Sequence, residues 1–328
     1  MKITALNFGL PDRETAKYLA EAVEAARYAG AEVSVIEMSG KKIDRCMGCG
    51  ACSSGVEKGK TNAPFCILRD DLRAITEVIL DGDGILIAAP VCYLGPTGQL
   101  MDVIHRFCVA ADKSVMELRQ YQREKRGEPP IDPRFLKQQW IGLISVGEGL
   151  SDYGVSFGIS TLRLFTFSTN MKQVGSVNIF GEMTPQRAAA YKAQCKELGA
   201  ALVSAIKKPD AAIDYVGDQG HCPVCHGDMF TIIPGTKKAE CPVCGITGEL
   251  SLRDGQVCID YTDDAVFHAR LNHGGIIDHC VELHGSEEYC MELFGDQTWV
   301  TPRNMMEEIS QWIADGLMDP PSGMGGNV

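Results

Sequence analysis

The chain has 328 residues, enough for two or three domains, and 14 of them are cysteine. Its formal charge of -12 argues against general binding to nucleic acid or to anionic membranes, since both need clustered Lys and Arg. No stretch approaches the roughly 20 apolar residues that span a bilayer, and the apolar run before Pro11 is too short for a signal peptide, so the expected location is the cytoplasm.

In chain order, residues 2–8 read as a buried strand, 12–30 as a helix closed by Gly30, and 31–38 as an alternating strand. A short helix follows over 70–83, with acidic residues at its start where they complement the helix dipole. "GILIAAPV", 84–91, is a continuous apolar strand of the kind buried on both faces of a parallel sheet. A helix over 97–111, the strand "WIGLISVGEG", a helix near 155–168, the strand "GSVNIFG" and a long helix over 184–207 complete the series. The basic run "RQYQREKR", 119–126, reads as the solvated face of a helix.

Five alternating strand and helix units predict an α/β domain over 1–210. Its sheet is doubly wound, parallel and five-stranded, with a ligand crevice at the carboxyl ends of the strands. Short strands, turns and paired cysteines fill 216–260. Residues 261–328 read as a helical extension with a disordered "PPSGMGGNV" end.

A chain of this size without a leader, with its cysteines in tight groups, points to metal ligation rather than a disulfide framework. Cys46, Cys49 and Cys52 stand at Cys-x2-Cys-x2-Cys spacing, and Cys66 follows 14 positions later. Three converging thiolates and a remote fourth suit a [4Fe-4S] cluster, and Gly48 and Gly50 let the loop curl around it. A zinc site or free structural thiols are the rival readings. Cys222, Cys225, Cys241 and Cys244 form two Cys-x2-Cys knuckles with 15 residues between them, which is the pattern of a zinc ribbon. A rubredoxin-type iron at the same four sulfurs is the alternative. His221 and His226 flank a knuckle as bystanders, because four thiolates already fill a tetrahedron. His268, His273, His279 and His284 recur at spacings of five, six and five, so none pairs at i,i+4 on one helix face. Cys108, Cys195 and Cys258 read as core cysteines.

"KKIDRCMGCGAC" followed by "CILRDDL" resembles the iron-sulfur flavoproteins of the NADPH-dependent FMN reductase group, a family with a flavodoxin-like fold. The resemblance implies that Cys46, Cys49, Cys52 and Cys66 hold a [4Fe-4S] cluster beside FMN, with Asp70 and Asp71 as the family's acidic pair. The family's third-to-fourth cysteine spacing is usually shorter, and "SSGVEKGKTNAP" is expected to form a loop over the cluster. "APVCYLGPTGQLMDVIHRF", 89–107, resembles the family's ring-contacting loop, where Pro90, Val91, Gly98 and Arg106 match. Cys92, Tyr93, Leu94 and Gly95 complete that loop, and Gly147 and Gly149 of "SVGEGLSDYG" fill the second one.

In "NFGLPDRET", Gly9, Arg13 and Thr15 take the phosphate-loop positions, while Asp12 and Glu14 bring negative charge to it. Either those acids point outward as helix caps or the phosphate is held differently.

The resemblance thus implies an FMN- and cluster-dependent oxidoreductase drawing electrons from ferredoxin or NAD(P)H, assembled as a homodimer or homotetramer. No Gly-x-Gly-x-x-Gly dinucleotide motif is present. A non-enzymatic electron carrier docking a specific partner is the second reading, and a flavin-free zinc-ribbon scaffold the third.

Overall fold

The computed structural model describes residues 1–284 apart from 58, 182–183 and 218–219, and residues 1–276 form one compact unit. Strand β1 (Lys2–Asn7) leads through helix α1 (Glu14–Tyr28) to β2 (Glu32–Glu37). Helices α2 (Ala51–Glu57) and α3 (Leu72–Asp81) precede β3 (Gly84–Cys92), which turns back into the short β4 (Gly95–Pro96). Helix α4 (Gly98–Val103) runs into one π-helical turn (Ile104–Cys108), then α5 (Lys113–Arg126) and β5 (Trp140–Val146). Two short helices, α6 (Gly158–Leu162) and α7 (Leu164–Thr169), lead to β6 (Lys172–Ile179) and the long α8 (Pro185–Lys207).

The five long strands pair in the order β2-β1-β3-β5-β6, every pair parallel. This is the flavodoxin-like order, in which the chain reverses direction across the sheet beside β1 and β3. The alternation along β3 shows why its run is apolar throughout. Ile85, Ile87 and Ala89 pack with α3, α4 and the π turn, while Leu86 and Ala88 pack with α1 and α8. With a helical layer on each face, no position from Gly84 to Ala89 meets water, so none is polar.

Three local expectations need correction. The expected helix over 97–111 contains the π turn, which carries the buried Arg106. The helix near 155–168 is instead a 3-10 turn (Asp152–Val155) followed by α6 and α7, which part at Arg163; Gly154 and Gly158 flank the first break, where a continuous helix would need better formers. The basic run 119–126 is only partly solvated, since Arg119 and Arg123 are buried. Arg123 donates to the carbonyls of Val56, Thr61 and Pro129 at 3.3, 3.1 and 2.5 Å. It thereby fastens the inserted segment, whose first half is the helix α2 rather than a plain loop.

Beyond α8, β7 (Thr231–Ile232), β8 (Lys238–Glu240), β9 (Thr247–Arg253) and β10 (Gln256–Asp260) form a separate antiparallel sheet. Asp254 and Gly255 turn β9 into β10 with φ of 51° and 77°, the left-handed pair a two-residue hairpin requires. Helices α9 (Asp263–Phe267) and α10 (His273–His284) follow. The segment joining the two sheets is itself paired: Val216 donates to Val174 O and accepts from Ser176 N–H, at 3.1 and 2.9 Å, along the outer edge of β6.

Arg270 joins the two parts a second time. Its backbone N–H donates to Cys244 O at 2.8 Å, and its guanidinium reaches Asp112 at the start of α5 at 3.1 Å, both side chains buried. Residues 285–328 of the expected helical extension, with the "PPSGMGGNV" end, lie outside the described residues. Among the described residues, no helix is long and apolar enough to cross a membrane.

Candidate redox site

The loops that leave β1, β3 and β5 all emerge at the carboxyl edge of the sheet. After β1, Asn7 is fully buried; its amide donates to Glu37 at 2.5 Å and its oxygen accepts from Gly9 N–H at 3.0 Å, which fixes the first turn. A Cβ on Gly9 would lie 2.6 Å from Thr15 Cβ, so only glycine lets the loop close on the start of α1. Thr15 is buried, and Arg13 is the N-cap residue of α1 with no side chain capping that end. Asp12 and Glu14 do not cap the helix. Both are exposed, and Glu14 pairs with Lys17 at 2.7 Å. The uncapped amide end of a 15-residue helix beside Arg13 and Thr15 has the donor chemistry of an anion site.

After β3, Val91 and Cys92 pair with Pro96 and Gly95, and Tyr93 and Leu94 form the tip of the hairpin with φ of 54° and 70°. Two successive non-glycine residues in the left-handed region are costly, and such strain concentrates at functional sites. Pro90 and Val91 are half-buried, Cys92 is exposed and Tyr93 is fully exposed. Leu94 O accepts from Phe157 N–H at 3.0 Å, which joins this hairpin to the loop after β5. In that loop Gly147 sits against Val91 and Val155, with room for no side chain, and Gly149 sits against Gly154. Among the described residues, Ser145 Oγ and Asn178 Oδ1, buried at the ends of β5 and β6, have no hydrogen-bond partner, as expected of groups that meet a polar ligand. These observations fit a flavin.

The first cysteine segment leaves β2 at the same edge. Gln99, at the start of α4, donates to Met38 O at 2.9 Å and Lys41 O at 3.3 Å, tying this segment to the β3 hairpin. Gly48 and Gly50 take left-handed φ of 62° and 64°, curling the loop as expected. Gly48 N–H points to Cys46 Sγ at 3.4 Å. Cys46 and Cys49 are exposed, and Cys52 and Cys66 half-buried.

The two cysteine-bearing stretches are fastened by Asp70, Asp71 and Arg106. Asp70 and Arg106 form a bidentate pair at 2.5 and 2.9 Å with side chains 0% and 1% exposed. Asp70 also accepts from Asp44 N–H at 2.7 Å, and Asp71 accepts from Lys42 N–H at 2.7 Å. Arg106 completes the knot by donating to Asp44 O at 2.8 Å and to Cys66 Sγ at 3.4 Å. Burial pushes the Asp70 carboxyl up, but the Arg106 hydrogen bonds and the Asp44 amide outweigh it and leave the group below its ordinary value. For Arg106 burial pulls down, and the Asp70 and Cys66 bonds overcome it.

Sequence reading places Arg106 with the flavin loop, whereas its head group lies against Cys66. An arginine inside the mainly apolar "VIHRFCV" is the available signal, since a buried guanidinium needs an acid partner. Gln99 and Arg123 carried no such mark. N–H donors aimed at two sulfurs fit thiolate ligands of a cluster.

In the C-terminal sheet, Cys222, Cys225, Cys241 and Cys244 are buried with their sulfurs all within 4.8 Å of one another. Among the described residues this is the one group of three or more ligating side chains so tightly packed. Hydrogen bonds among the four sulfurs lower Cys222 and Cys241 and raise Cys225 and Cys244, so the set shares its protons and the thiolates that metal binding needs form on two of its members first. The set fits one tetrahedral ion. A [4Fe-4S] cluster spreads its ligands over four irons, so the wider Cys46–Cys66 set is not expected in so tight a group.

His221 pairs with Asp228 at 3.5 Å, and His226 stacks on Tyr215 with ring centroids 3.9 Å apart. His268 lies 3.7 Å from Asp264. Cys108 and Cys195 are core thiols as expected, and burial pushes Cys195 up to about 12. Cys258 is half-buried on β10 and does not belong to the core.

Comparison with known proteins gives two kinds of likeness. Residues 1–123 match the family model described as NADPH-dependent FMN reductase. An iron-sulfur flavoprotein of Archaeoglobus fulgidus is 34% identical over 90 residues, covering 27% of this chain and 37% of that protein. Another, from Methanosarcina thermophila, is 34% identical over 97 residues, 29% of this chain and 46% of that one. The chain thus spans less than half the length of these two flavoproteins. Flavone synthase cfoJ of Aspergillus candidus is 24% identical over 303 residues, 86% of this chain and 88% of that one. A solved flavone reductase superposes over 100% of this chain and 99% of its own, with a TM-score of 0.71 and 23% identity, which establishes a shared fold. Residues 1–123 thus match the NADPH-dependent FMN reductase family model, within a flavodoxin-like sheet that a four-cysteine module follows.

Proposed function

We propose that this chain couples two-electron to one-electron transfer through FMN and a [4Fe-4S] cluster, with a metal ion in the C-terminal four-cysteine set. Bound flavin supplies two-electron chemistry and the cluster one-electron chemistry, so the pair interconverts them. The single observation that carries the reading is the Gln99 tie, which sets the loop after β3 and the cysteine segment after β2 side by side at one sheet edge.

Gly9, Arg13 and Thr15 hold the phosphate at the start of α1. Pro90, Val91, Cys92, Tyr93, Leu94 and Gly95 line the ring on one side, with Gly147 and Gly149 on the other. Cys46, Cys49, Cys52 and Cys66 hold the cluster. Cys222, Cys225, Cys241 and Cys244 hold zinc, with rubredoxin-type iron as the alternative. Electrons enter from NAD(P)H or from a ferredoxin.

The test is an absorption spectrum of protein purified without oxygen, before and after dithionite, followed by metal analysis. Flavin bands over a broad iron-sulfur shoulder, both bleaching, are expected. A spectrum without visible absorption would sink the redox reading and leave a zinc-ribbon scaffold. Steady NAD(P)H oxidation by the isolated protein supports an enzyme, whereas reduction by a protein partner alone supports a carrier.

A second reading concerns the substrate. The two full-length likenesses carry the names flavone synthase and flavone reductase, and the loops of the proposed crevice expose Tyr93, Tyr153 and Phe157. Three aromatic faces at a flavin crevice suit a flat aromatic enone. Incubation with a flavone and NAD(P)H, with the product resolved by chromatography, checks it; an unchanged flavone would count against it.

A further inference from the structure

We infer that the surface around the first cysteine segment is a docking face for a small acidic electron-carrier protein. The inference rests on the cluster reading of Cys46–Cys66 and adds where its one-electron partner binds and by what chemistry.

Charge is the first observation. Residues 41–73 carry seven Lys and Arg against four Asp and Glu, while the rest of the chain carries 24 against 39. Asp70 is buried against Arg106 outside the stretch, and Arg73 is paired with Glu77 outside it, so the surface keeps the same excess of positive charge. Arg45, Lys60 and Arg69 are all exposed. A local cationic patch on a chain of net charge -12 is a specific feature, since the average field of the molecule repels acidic partners.

The second observation is the apolar centre. Met47 is 63% exposed and Ile67 57% exposed. Arg106 grips Asp44 O and Cys66 Sγ with one guanidinium, so the stretches Arg45–Met47 and Ile67–Arg69 emerge side by side from the same knot. An open cleft of about 910 Å³ adjoins them, with Cys66, Ile67 and Arg69 on its wall. An apolar centre within a charged rim is the anatomy of a protein interface in which charge sets encounter and register.

The third is access. Cys46 and Cys49 are exposed, so a partner seated here lies against the ligand loop itself. The step is a bare electron transfer: the reduced carrier loses one electron, the chain gains one, and no bond forms or breaks.

The experiment is stopped-flow reduction of the oxidised holoprotein by a dithionite-reduced acidic ferredoxin, across roughly 0.05 to 0.5 M salt. Wild type, Arg45→Glu/Arg69→Glu and the remote control Lys237→Glu are compared, each first shown to bleach with dithionite. For wild type and control the second-order rate is expected to fall with salt. The double variant is expected to be slower by about tenfold or more at low salt and to converge with wild type at high salt. Equal rates and equal salt slopes in all three overturn the proposal. Loss of a dimer in the double variant on a sizing column overturns it in favour of a second copy on this face. A raised KM for NADPH with an unchanged ferredoxin rate overturns it in favour of a dinucleotide. A wild type with no iron-sulfur absorption fails the underlying cluster reading instead, and the spectrum separates that failure from the others.

Discussion

At 222–244 four buried thiols close on one another within a small sheet, whereas at 46–66 the thiols lie at or near the surface and their segments are fastened by carboxylates and guanidinium groups. The first arrangement has a small cluster of apolar residues behind it, so the ion it binds supplies much of its folding energy. The second is ordered by the protein alone, through Asp70, Asp71, Arg106 and Arg123, and leaves its sulfurs reachable. Closed, thiol-filled sites are structural, while sites that work keep an open side. Under the proposed function with zinc in the ribbon, the two cysteine sets separate holding from exchanging.

The sharpest way to break this comparison is metal removal at the ribbon. A strong chelator, or Cys241→Ser, is expected to bring bound metal to near zero and to unfold 216–260, a loss on the order of 10 kcal/mol of metal-coupled folding energy. Limited proteolysis reads it as cleavage inside 216–260 with the N-terminal sheet intact.

Next in size is Asp70→Asn, which leaves the buried Arg106 charge uncompensated and is expected to cost about 3–5 kcal/mol in denaturant unfolding. This variant also tests the pH dependence. The folded Asp70 lies below its ordinary 3.8, so its contribution is complete above 3.8 and is lost as the pH falls through the lowered value. The acid limb of the stability curve should be shallower in the variant than in wild type, and parallel limbs would contradict the assignment.

Arg123→Met removes charge-assisted bonds to three carbonyls, worth about 1.5–3 kcal/mol each at most. Faster proteolysis near 55–62, with β-sheet circular dichroism unchanged, is the expected result. Smallest in stability is Cys46→Ser, an exposed change expected to shift unfolding by less than about 0.5 kcal/mol while removing the iron-sulfur absorption. If Cys46→Ser unfolds the protein as readily as Cys241→Ser does, the distinction between the two sets collapses.

The strand and helix series was legible because its patterns are local. β3 is apolar from Gly84 to Ala89 because both its faces are covered there, and the two knuckles announce their ligands by spacing alone. What escaped sequence reading depends on contacts made far along the chain. Arg106 meets Cys66 at a separation of 40 residues, and Arg123 meets Val56 at 67. Nothing in "RQYQREKR" distinguishes a fastening arginine from a solvated one. The π turn was hidden for a related reason: "MDVIHRFCV" has ordinary helical spacing, and the extra residue per turn makes sense only once Arg106 faces Asp70. Which alternative holds for Asp12 and Glu14 was not legible either, because charge at a helix start reads as a cap until the backbone shows Arg13 in that position.

The pairing of Val216 with the outer edge of β6 bears on how the gene product can be divided. A parallel sheet ends in an unpaired rim, and such rims recruit strands from other molecules unless something blunts them. Here the tether to the ribbon occupies part of that rim at Val174 and Ser176. A version ending at residue 210 would retain every thiol of the first set and every loop of the crevice, yet it would lose this guard. Its weakness in the test tube would be clumping rather than lost chemistry.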